Sequence, residues 1–306
     1  MSVGNSGVFS APQHYETDFN KIWLEIMAQQ IDHRLAGYYV SDNVAGNQKR
    51  YDQMGSQSYS MSQKTARAAW TEPSDVPTAI RWVIPLGFQK ATWIDENDDV
   101  LLGSLADPQG IIAMNHAIAT NRLKDQLLIN AGLGVNFTGA TGPNTPTPLP
   151  AAQQIGVQFP GATNTGMTLA KIIQAVYLLD ANDVPEGDRV MVYAAKQLYN
   201  LLLNVDQVNS VLYNDVRALM KGRLDEFAGF RWIRTQLLPT IGTPSVRSCM
   251  AYQKKFLLLG IGKDQSTKID ILPQQSHATQ VRTTYLAGAT RLEEAGVVQI
   301  ACDETV

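Results

Sequence analysis

The sequence predicts an α+β fold, with one long helix in its first half and a mixture of helices and strands in its second half. Asp107-Pro108 opens the most clearly signalled helix, because aspartate caps free backbone amides and proline suits the first helical position. This helix is predicted to stop at Gly132. Residues 166–245 alternate helical and strand patterns, which predicts a compact α/β subdomain, and residues 246–306 are rich in strand patterns.

The N-terminal residues are predicted to form an extended arm that carries a helix. From Tyr15 to Ala36 the apolar residues recur with partial helical spacing, after a start rich in glycine, serine and asparagine. Little precedes this helix for it to pack against, which favours an arm. Met1–Ser10 is small and polar and has no apolar core, so we expect no signal peptide.

Residues 38–95 predict a long two-stranded hairpin. Ser56–Gln63 alternates weakly with period two, and Arg81–Ile94 is rich in β-branched and aromatic residues, with a proline-containing loop between the two runs. An isolated hairpin is marginally stable in water. Because the rest of the chain offers no obvious partner strands nearby, we expect this hairpin to pack on another surface, which could belong to a neighbouring subunit.

The second half shows further element boundaries. Thr168 begins a helix whose predicted apolar face comprises Leu169, Ile172, Ile173, Val176 and Leu179. The next predicted elements are a strand at Arg189–Tyr193, helices at Ala195–Leu203 and Val211–Lys221, and a strand at Gly229–Thr235. Four more strands are predicted in the last stretch, with turns at Gly262-Lys263 and near Pro273.

The composition favours extensive contact with other protein. The chain has 306 residues, of which 44% are hydrophobic and 17% are charged, against about 25% charged in ordinary globular proteins. The cores of protein interfaces are likewise depleted in charge. The net charge is −3 and no block of basic residues occurs, which argues against a dedicated DNA-binding protein but not against a wall that faces DNA.

The motifs of common enzymes and metal sites are not found. Gly262-Lys263 lacks the rest of a phosphate-binding loop, and the histidines are scattered without metal-binding spacing. Cys249 and Cys302 are interpreted as buried free thiols typical of a reducing cytoplasm. We therefore predict no catalytic, cofactor-binding or metal-binding residues, no cofactor and no enzymatic activity.

Two segments and the order of elements resemble a known family. Asn214–Pro239 contains a predicted helix that ends at glycine, a short connector, a Gly-Phe strand and a terminal Leu-Pro. The closing strands carry Leu286-Ala287-Gly288-Ala289 and Val297-Val298-Gln299-Ile300. These patterns, with the arm, long hairpin, long helix and α/β subdomain, resemble the HK97-fold major capsid proteins of tailed bacteriophages over nearly the whole chain.

The resemblance implies a division of the chain into capsid subdomains. It implies an N-terminal arm at 1–37, an extended β-hairpin loop (E-loop) at 38–95 and an α/β axial domain at 166–245. A peripheral domain with the long spine helix would comprise 96–165 and 246–306. The expected fold is thus an HK97-like capsid fold of the α+β class.

The resemblance also implies an assembly function. Subunits of the family form hexamers and pentamers of an icosahedral shell that encloses double-stranded phage DNA, so we expect a virion protein that is assembled in the host cytoplasm. The implied partners are copies of the chain itself, a portal, possibly decorating proteins, and DNA contacted non-specifically on the inner face. A separate scaffolding protein is expected because the chain lacks a long charged N-terminal helical segment. The alternatives are an encapsulin-like bacterial compartment shell and, less favoured, an enzyme of unknown class.

Several residues are candidates for contacts made in such a shell. Trp70, Trp82 and Trp93, which flank the hairpin, and Arg67 beside them are candidate inter-subunit contacts, since tryptophan and arginine are enriched at interface hot spots. The alternative is ordinary strand aromatics.

Four basic residues have weaker claims to a role in the shell. Some relatives crosslink a hairpin lysine to a neighbour, for which Lys49 and Lys64 are candidates, although solvated lysines are the simpler interpretation. Arg122 and Lys124 on the long helix are candidates for facing DNA, or belong to a solvated helix face.

Overall fold

The computed structural model describes most of the chain in seven stretches, which are residues 33–54, 63–64, 66–67, 78–94, 108–205, 226–242 and 245–305. Within these stretches lie three α-helices: α1 at Pro108–Leu133, α2 at Leu169–Ala181 and α3 at Ala195–Val205. None of the described helices is long and apolar enough to cross a membrane.

The first of three sheets has the strand order β1-β12-β13-β4. Its strands are β1 at Val40–Asn43, β4 at Leu86–Ile94, β12 at Leu257–Leu272 and β13 at Ala278–Arg291. β12 and β13 form a long antiparallel hairpin, and β4 continues the sheet antiparallel to β13. α1 packs on one face of this sheet through β12 and β13.

The second sheet has the strand order β2-β3-β5-β6. Its strands are β2 at Lys49–Met54, β3 at Thr78–Val83, β5 at Asn136–Thr138 and β6 at Thr145–Thr147. β2 and β3 pair antiparallel and so form the base of the predicted hairpin. β3 also pairs with β5 in the segment that follows α1.

The third sheet has six strands in the order β7-β14-β11-β8-β10-β9. They are β7 at Gln154–Ile155, β8 at Arg189–Tyr193, β9 at Glu226–Phe227, β10 at Phe230–Arg234, β11 at Val246–Gln253 and β14 at Val297–Asp303. Every residue of β8 is buried, as expected for a central strand that is covered on both faces.

The main core lies around the six-stranded sheet. Met250 of β11 packs against Gly132 at the end of α1, whereas Lys171 of α2 reaches Ala301 of β14. Because neighbouring residues of a strand point to opposite faces, Met250 and its neighbour Cys249 contribute to the two sides of the sheet, and both are fully buried. Helices thus cover both faces of this sheet.

Several boundaries predicted from the sequence are confirmed. α1 begins at Pro108, and β8 has the predicted bounds Arg189–Tyr193. Thr168 caps α2, because its side chain accepts a hydrogen bond from the backbone N–H of Lys171. A short 3-10 helix at Pro273–Gln275 forms the predicted turn between β12 and β13. Local capping and turn chemistry determine these positions.

Two predicted breaks at glycine are wrong. α1 continues through Gly132 to Leu133, because a β-carbon at Gly132 would collide with the Met250 side chain and glycine is needed there for close packing. β12 continues through Gly262-Lys263, where pairing with β13 absorbs the irregularity as register shifts. The break instead falls at Lys254–Phe256, a short 3-10 helix between β11 and β12.

The hairpin prediction needs a correction. Arg81–Ile94 is not one strand, because β3 ends at Val83, β4 begins at Leu86 and the two strands belong to different sheets. Their partners β5 and β13 lie in the same chain, so the expectation that the hairpin has no partner strand in its own chain is wrong. The chain turns at Ile84-Pro85 against Gly288, where a β-carbon would meet the Ile84 carbonyl.

Some predicted elements lie outside the described residues. They are the helix at Val211–Lys221, the strand at Ser56–Gln63 except for its last residue, and the helix at Tyr15–Ala36 up to residue 32. Residues 34–37, where that helix was expected to end, form a turn. The six-stranded sheet draws strands from both 166–245 and 246–306, so the predicted boundary between these segments falls at the start of a sheet strand, β11.

Candidate assembly interface

The end of α1 is held by a buried arginine of β13. Arg291 is 0% exposed, and its Nη1 donates to the carbonyl of Gly132 over 2.7 Å and to those of Ala131 and Gly134 over 3.4 and 3.3 Å. The last carbonyls of a helix have no partner inside the helix and carry partial negative charge. A guanidinium at this position therefore satisfies them and favours the helix end.

Asn136 joins the same junction from β5. Its side-chain amide donates to the carbonyl of Ala131 over 2.8 Å. Its side-chain oxygen accepts from the Thr290 hydroxyl and from the backbone N–H of Arg291, each over 3.2 Å. The buried amide thereby ties the second sheet to both α1 and β13.

The hairpin base is connected to this junction through Glu294. Arg81 of β3, which is 7% exposed, donates to the carbonyl of Leu292 over 2.7 Å and forms an ion pair with Glu294. The other Glu294 oxygen lies 3.7 Å from Arg291 Nη2. Three charged side chains thus link the strand that carries the hairpin to the end of α1.

Asp125 of α1 anchors the chain that leads into β1. The Asp125 carboxylate accepts from the backbone N–H groups of Arg34 and Leu35 over 2.9 and 3.1 Å. It also lies 2.6 Å from His33 Nδ1, and His33 Nε2 lies 3.0 Å from the Tyr39 hydroxyl. The buried carboxylate therefore fixes where residues 33–39 lie on the long helix.

Lys171 closes a loop beneath the six-stranded sheet. Its ammonium, at the end of a fully buried side chain, donates to the carbonyls of Val157, Thr165, Gly166 and Ala301 over 2.8–3.1 Å. Burial lowers the pKa of Lys171, an effect opposed by the neighbouring Cys302 and Cys249 thiols and Asp303. The four carbonyl oxygens that accept from the ammonium also oppose the effect of burial, because they favour the charged form of Lys171.

The candidate contact residues fall in different surroundings. Trp82 is half-buried in β3, and its indole N–H donates to the carbonyl of Gly139 over 2.8 Å, so it is held within its own chain. Trp93 of β4 is 60% exposed. Arg67 is exposed, and Trp70 lies outside the described residues. Of the three described candidates, Trp82 is thus engaged within the chain, whereas Trp93 and Arg67 are exposed.

The candidate crosslinking lysines also differ. Lys49 Nζ lies 2.6 Å from a carboxylate oxygen of Asp42, which also accepts from the Tyr51 hydroxyl over 2.7 Å. These two hydrogen bonds lower the pKa of Asp42. Lys49 is thus engaged within its own chain, whereas Lys64 is exposed.

The two basic residues expected to face DNA lie half-buried on α1. Arg122 and Lys124 are both partly covered, and Lys124 Nζ lies 5.3 Å from the centre of the Tyr285 ring. This position over an aromatic face gives Lys124 a contact inside the chain.

Both cysteine side chains are withdrawn from solvent. Cys249 and Cys302 are buried free thiols, as predicted. The hydrogen bond between Cys249 and Cys302 raises the pKa of Cys249, and burial of the thiol raises it further. The raised pKa disfavours the reactive thiolate. No cluster of three or more metal-ligating side chains occurs among the residues that the structure describes.

Comparison with known proteins decides the family. A family model described as phage capsid protein matches residues 11–304. The chain belongs to the phage capsid protein family. The resemblance to HK97-fold major capsid proteins is thereby confirmed at the level of the family, and the protein is a structural component of the virion capsid. No curated protein sequence matches this capsid protein.

Solved structures share the fold of this capsid protein. The capsid of the cyanophage P-SCSP1u has a TM-score of 0.70 at 14% identity, covering 94% of this chain and 93% of that one. The capsid of the cyanophage Pam1 has a TM-score of 0.68 at 10% identity, covering 96% and 98%. The mixed α+β architecture therefore matches phage capsid folds. The family match over residues 11–304 points to a structural protein.

A compartment shell has a similar fold. The SrpI encapsulin of Synechococcus elongatus PCC 7942, solved as a holo complex, has a TM-score of 0.62 at 9% identity, covering 97% of this chain and 95% of that one. At this identity the likeness concerns the fold alone.

Sequence reasoning did not find most of the exposed apolar residues. Ile173 and Tyr177 of α2, one helical turn apart, are 58% and 61% exposed, although Ile173 was assigned to the buried face. Besides Trp93, the other large apolar side chains exposed in the described residues are Leu86, Met114, Val135, Phe137, Tyr199, Ile241, Ile269 and Ile271. In the sequence these residues have the same apolar spacing as core residues, so no local signal separates the two sets.

Proposed function

We propose that this protein is the major capsid protein of a tailed bacteriophage, which assembles into hexamers and pentamers of an icosahedral shell around double-stranded DNA. The observation that carries the proposal is the phage capsid family match over residues 11–304. The two cysteines are buried free thiols, which agrees with a structural role.

We propose that the segments of the chain correspond to the capsid subdomains. Residues 1–37 form the arm, 38–95 the hairpin loop, 166–245 the axial domain, and 96–165 with 246–306 the peripheral domain. The placement of α1 supports its assignment as the spine helix, because the helix end contacts Arg291 and its middle contacts residues 33–35. The long helix thus contacts the base of the arm directly and is linked to the base of the hairpin through Arg291, Glu294 and Arg81.

The proposed inter-subunit contacts are ranked by exposure. Trp93 is the strongest candidate, since a largely exposed tryptophan on an ordered strand offers apolar area at low entropic cost. Arg67 is exposed, and Trp70 stays a candidate on sequence alone. Trp82 ranks below Trp93 because its indole is already bonded within the chain.

The proposed partners are further copies of the chain, a separate scaffolding protein, a portal and possibly decorating proteins, with assembly in the host cytoplasm. DNA would be contacted non-specifically on the inner face. The net charge of −3 argues against a dedicated DNA-binding site but not against a wall that faces DNA.

Electron microscopy of the overexpressed protein, beside its size-exclusion profile, tests the proposal. Closed shells, tubes or hexameric rings are expected. The experiment is repeated with the scaffolding protein encoded by the same phage. A monomer or dimer under both conditions would contradict a shell function.

The second candidate is an encapsulin-like compartment shell, which the fold shared with the SrpI encapsulin favours. The content of purified particles separates the two functions. Nuclease-protected double-stranded DNA of genome length supports the phage capsid, whereas particles filled with a single cargo enzyme and free of DNA support the compartment.

A further inference from the structure

One exposed face of the first sheet combines an aromatic residue with a net positive charge. We call this face, formed where β4, β13 and β12 run side by side, the outer patch. The strand register places Trp93, Gln280 and Asp270 in one row and Ala91, Arg282 and Lys268 in the next. Residues paired across strands project to the same face, and so do residues two apart along a strand.

The outer patch points away from α1. Val281 of β13, which alternates with Gln280 and Arg282, is 0% exposed, and its partner Thr92 lies 2.9 Å from His116 of α1 through its hydroxyl. The helix therefore covers the face opposite to the patch. Five of the six residues in these two rows are exposed, and the sixth, Gln280, is half-buried.

The outer patch contains a like-charge pair. Lys268 stands directly opposite Arg282, and both are exposed. Like charges at opposed cross-strand positions destabilise a sheet. Arg282 donates to the Gln89 side chain over 2.7 Å, but no described carboxylate lies within 4.0 Å of either cation. The two cations thus form no ion pair within the described chain, although Asp270 stands in the adjacent row of the patch.

A rigid acidic loop of the same chain offers the missing charge. Asp183, Glu186 and Asp188, in the turn between α2 and β8, are all exposed, and none has a described cation within ion-pairing distance. Arg189, which is 5% exposed, holds the loop from below by donating to the carbonyls of Val184 and Pro185. The three carboxylates are therefore presented on a fixed backbone.

We propose that the outer patch of one subunit binds the acidic loop of a second copy. Lys268 and Arg282 meet the loop carboxylates, and Trp93 supplies the apolar contact beside them. Tryptophan and arginine are the residue types enriched at interface hot spots. The proposal rests on the proposed shell function.

The two surfaces would give a head-to-tail contact. Because they are different parts of one chain, each copy can bind one neighbour through its patch and another through its loop. Contacts of this kind close into rings when the rotation between copies allows it, which is the geometry that capsomers require.

Charge reversal tests the contact. One variant carries Lys268→Glu with Arg282→Glu, and a second carries Asp183→Lys, Glu186→Lys and Asp188→Lys. Each alone sets like charges against each other, so we expect particle yield to fall about tenfold or more. When all five substitutions are combined in one chain, each reversed patch meets a reversed loop in a ring of any size, and we expect assembly to return.

Two controls keep the test specific. Coexpression of either variant with wild type should restore its incorporation only in part, because the unchanged surface finds a complement and the reversed surface does not. The milder Lys268→Gln with Arg282→Gln, with circular dichroism to confirm folding, should lower yield by a smaller factor.

The possible contrary results have different meanings. Normal particle yield from a reversed variant, or failure of the chain with all five substitutions to assemble, would overturn the contact. Particles of patch-reversed protein that form normally but package less DNA would also overturn it, and would assign the patch to DNA. A wild-type protein that forms no particles with its scaffold would instead overturn the shell function.

Discussion

Two arginines on one strand show how this chain divides its charges. Arg291 and Arg282 both belong to β13, but the first is 0% exposed and the second is exposed. Arg291 donates to carbonyls of α1 and β6 and lies near Glu294, all within the chain. Arg282 bonds only a surface glutamine among the described side chains and stands opposite Lys268.

This difference separates charges that stabilise the fold from charges that can contact another molecule. A buried charge must find its partners inside the chain, because an unpaired charge in a core is strongly destabilising. An exposed charge is tolerated without partners, so it is available to another molecule. Charges at the junction around Arg291 therefore serve folding, whereas those of the outer patch are free for assembly.

The largest expected effect is the loss of stability on substitution of Arg291, which the same substitution of Arg282 should not cause. Arg291→Met leaves the end of α1 unsatisfied and Glu294 without one of its two cations, so unfolding free energy should fall by about 3–5 kcal/mol. Urea unfolding followed by circular dichroism measures this change.

The matched control is Arg282→Met on the same strand, which should change the unfolding free energy by less than about 0.5 kcal/mol while reducing assembly. Equal stability losses for the two variants would break the distinction between them.

Lys171 extends the comparison to a lysine. Lys171→Met keeps the aliphatic packing but leaves four carbonyls without their donor, so we expect a loss of about 3 kcal/mol. Lys196→Met, on the half-buried face of α3, is the control and should lower stability by less than about 0.5 kcal/mol. Thermal unfolding distinguishes them, and an unchanged midpoint for Lys171→Met would contradict its role in closing the loop.

Substitutions of Trp82 and Trp93 should likewise affect stability in one case and assembly in the other, with smaller effects. Trp82→Ala removes the bond to Gly139 and half-buried packing, so stability should fall by about 2 kcal/mol. Trp93→Ala should leave stability within about 0.5 kcal/mol and lower particle yield. Parallel unfolding and particle counts check both variants. Reduced assembly with unchanged stability for Trp82→Ala would instead place Trp82 at an interface.

Acid should weaken the packing of α1 on the first sheet. His116 lies between the hydroxyls of Thr92 and Thr283, at 2.9 and 3.1 Å. Burial, and then the charge of Lys90, lower its pKa. The unfolded chain thus takes up the proton more readily, so stability should fall as pH drops below about 6.5, by at most about 1.4 kcal/mol per pH unit.

Unfolding measured between pH 7.5 and 5 in wild type and His116→Gln checks this dependence. The variant should lose that part of the slope, since it has no group to protonate at this position. Identical slopes in the two proteins would show that other groups cause the acid sensitivity.

Local signals predicted the parts of the fold that depend on neighbouring residues. The Thr168 cap, the start of α1 at Pro108 and the strand at Arg189–Tyr193 each follow from a few adjacent residues. The breaks expected at Gly132 and Gly262 failed because both glycines are explained by distant packing, against Met250 and against Leu286.

The candidate interface shows the same limit. Arg81 pairs with Glu294, 213 residues away in the sequence, and no local pattern marks that pair. Trp82 and Trp93 look alike in the sequence. In the structure, Trp82 is paired with β5, whereas Trp93 is exposed on the first sheet. Composition predicted an extensive interface, whereas its position depends on strand register.

The four carbonyls around the Lys171 ammonium have a further consequence. They resemble the oxygen shell of a dehydrated monovalent cation, with the lysine supplying the ion from within the chain. Such a buried charge is screened little by dissolved ions, whereas exposed charges separated by more than about 8 Å are largely screened at physiological ionic strength. Potassium chloride should therefore disassemble particles through the outer patch at concentrations that leave each subunit folded.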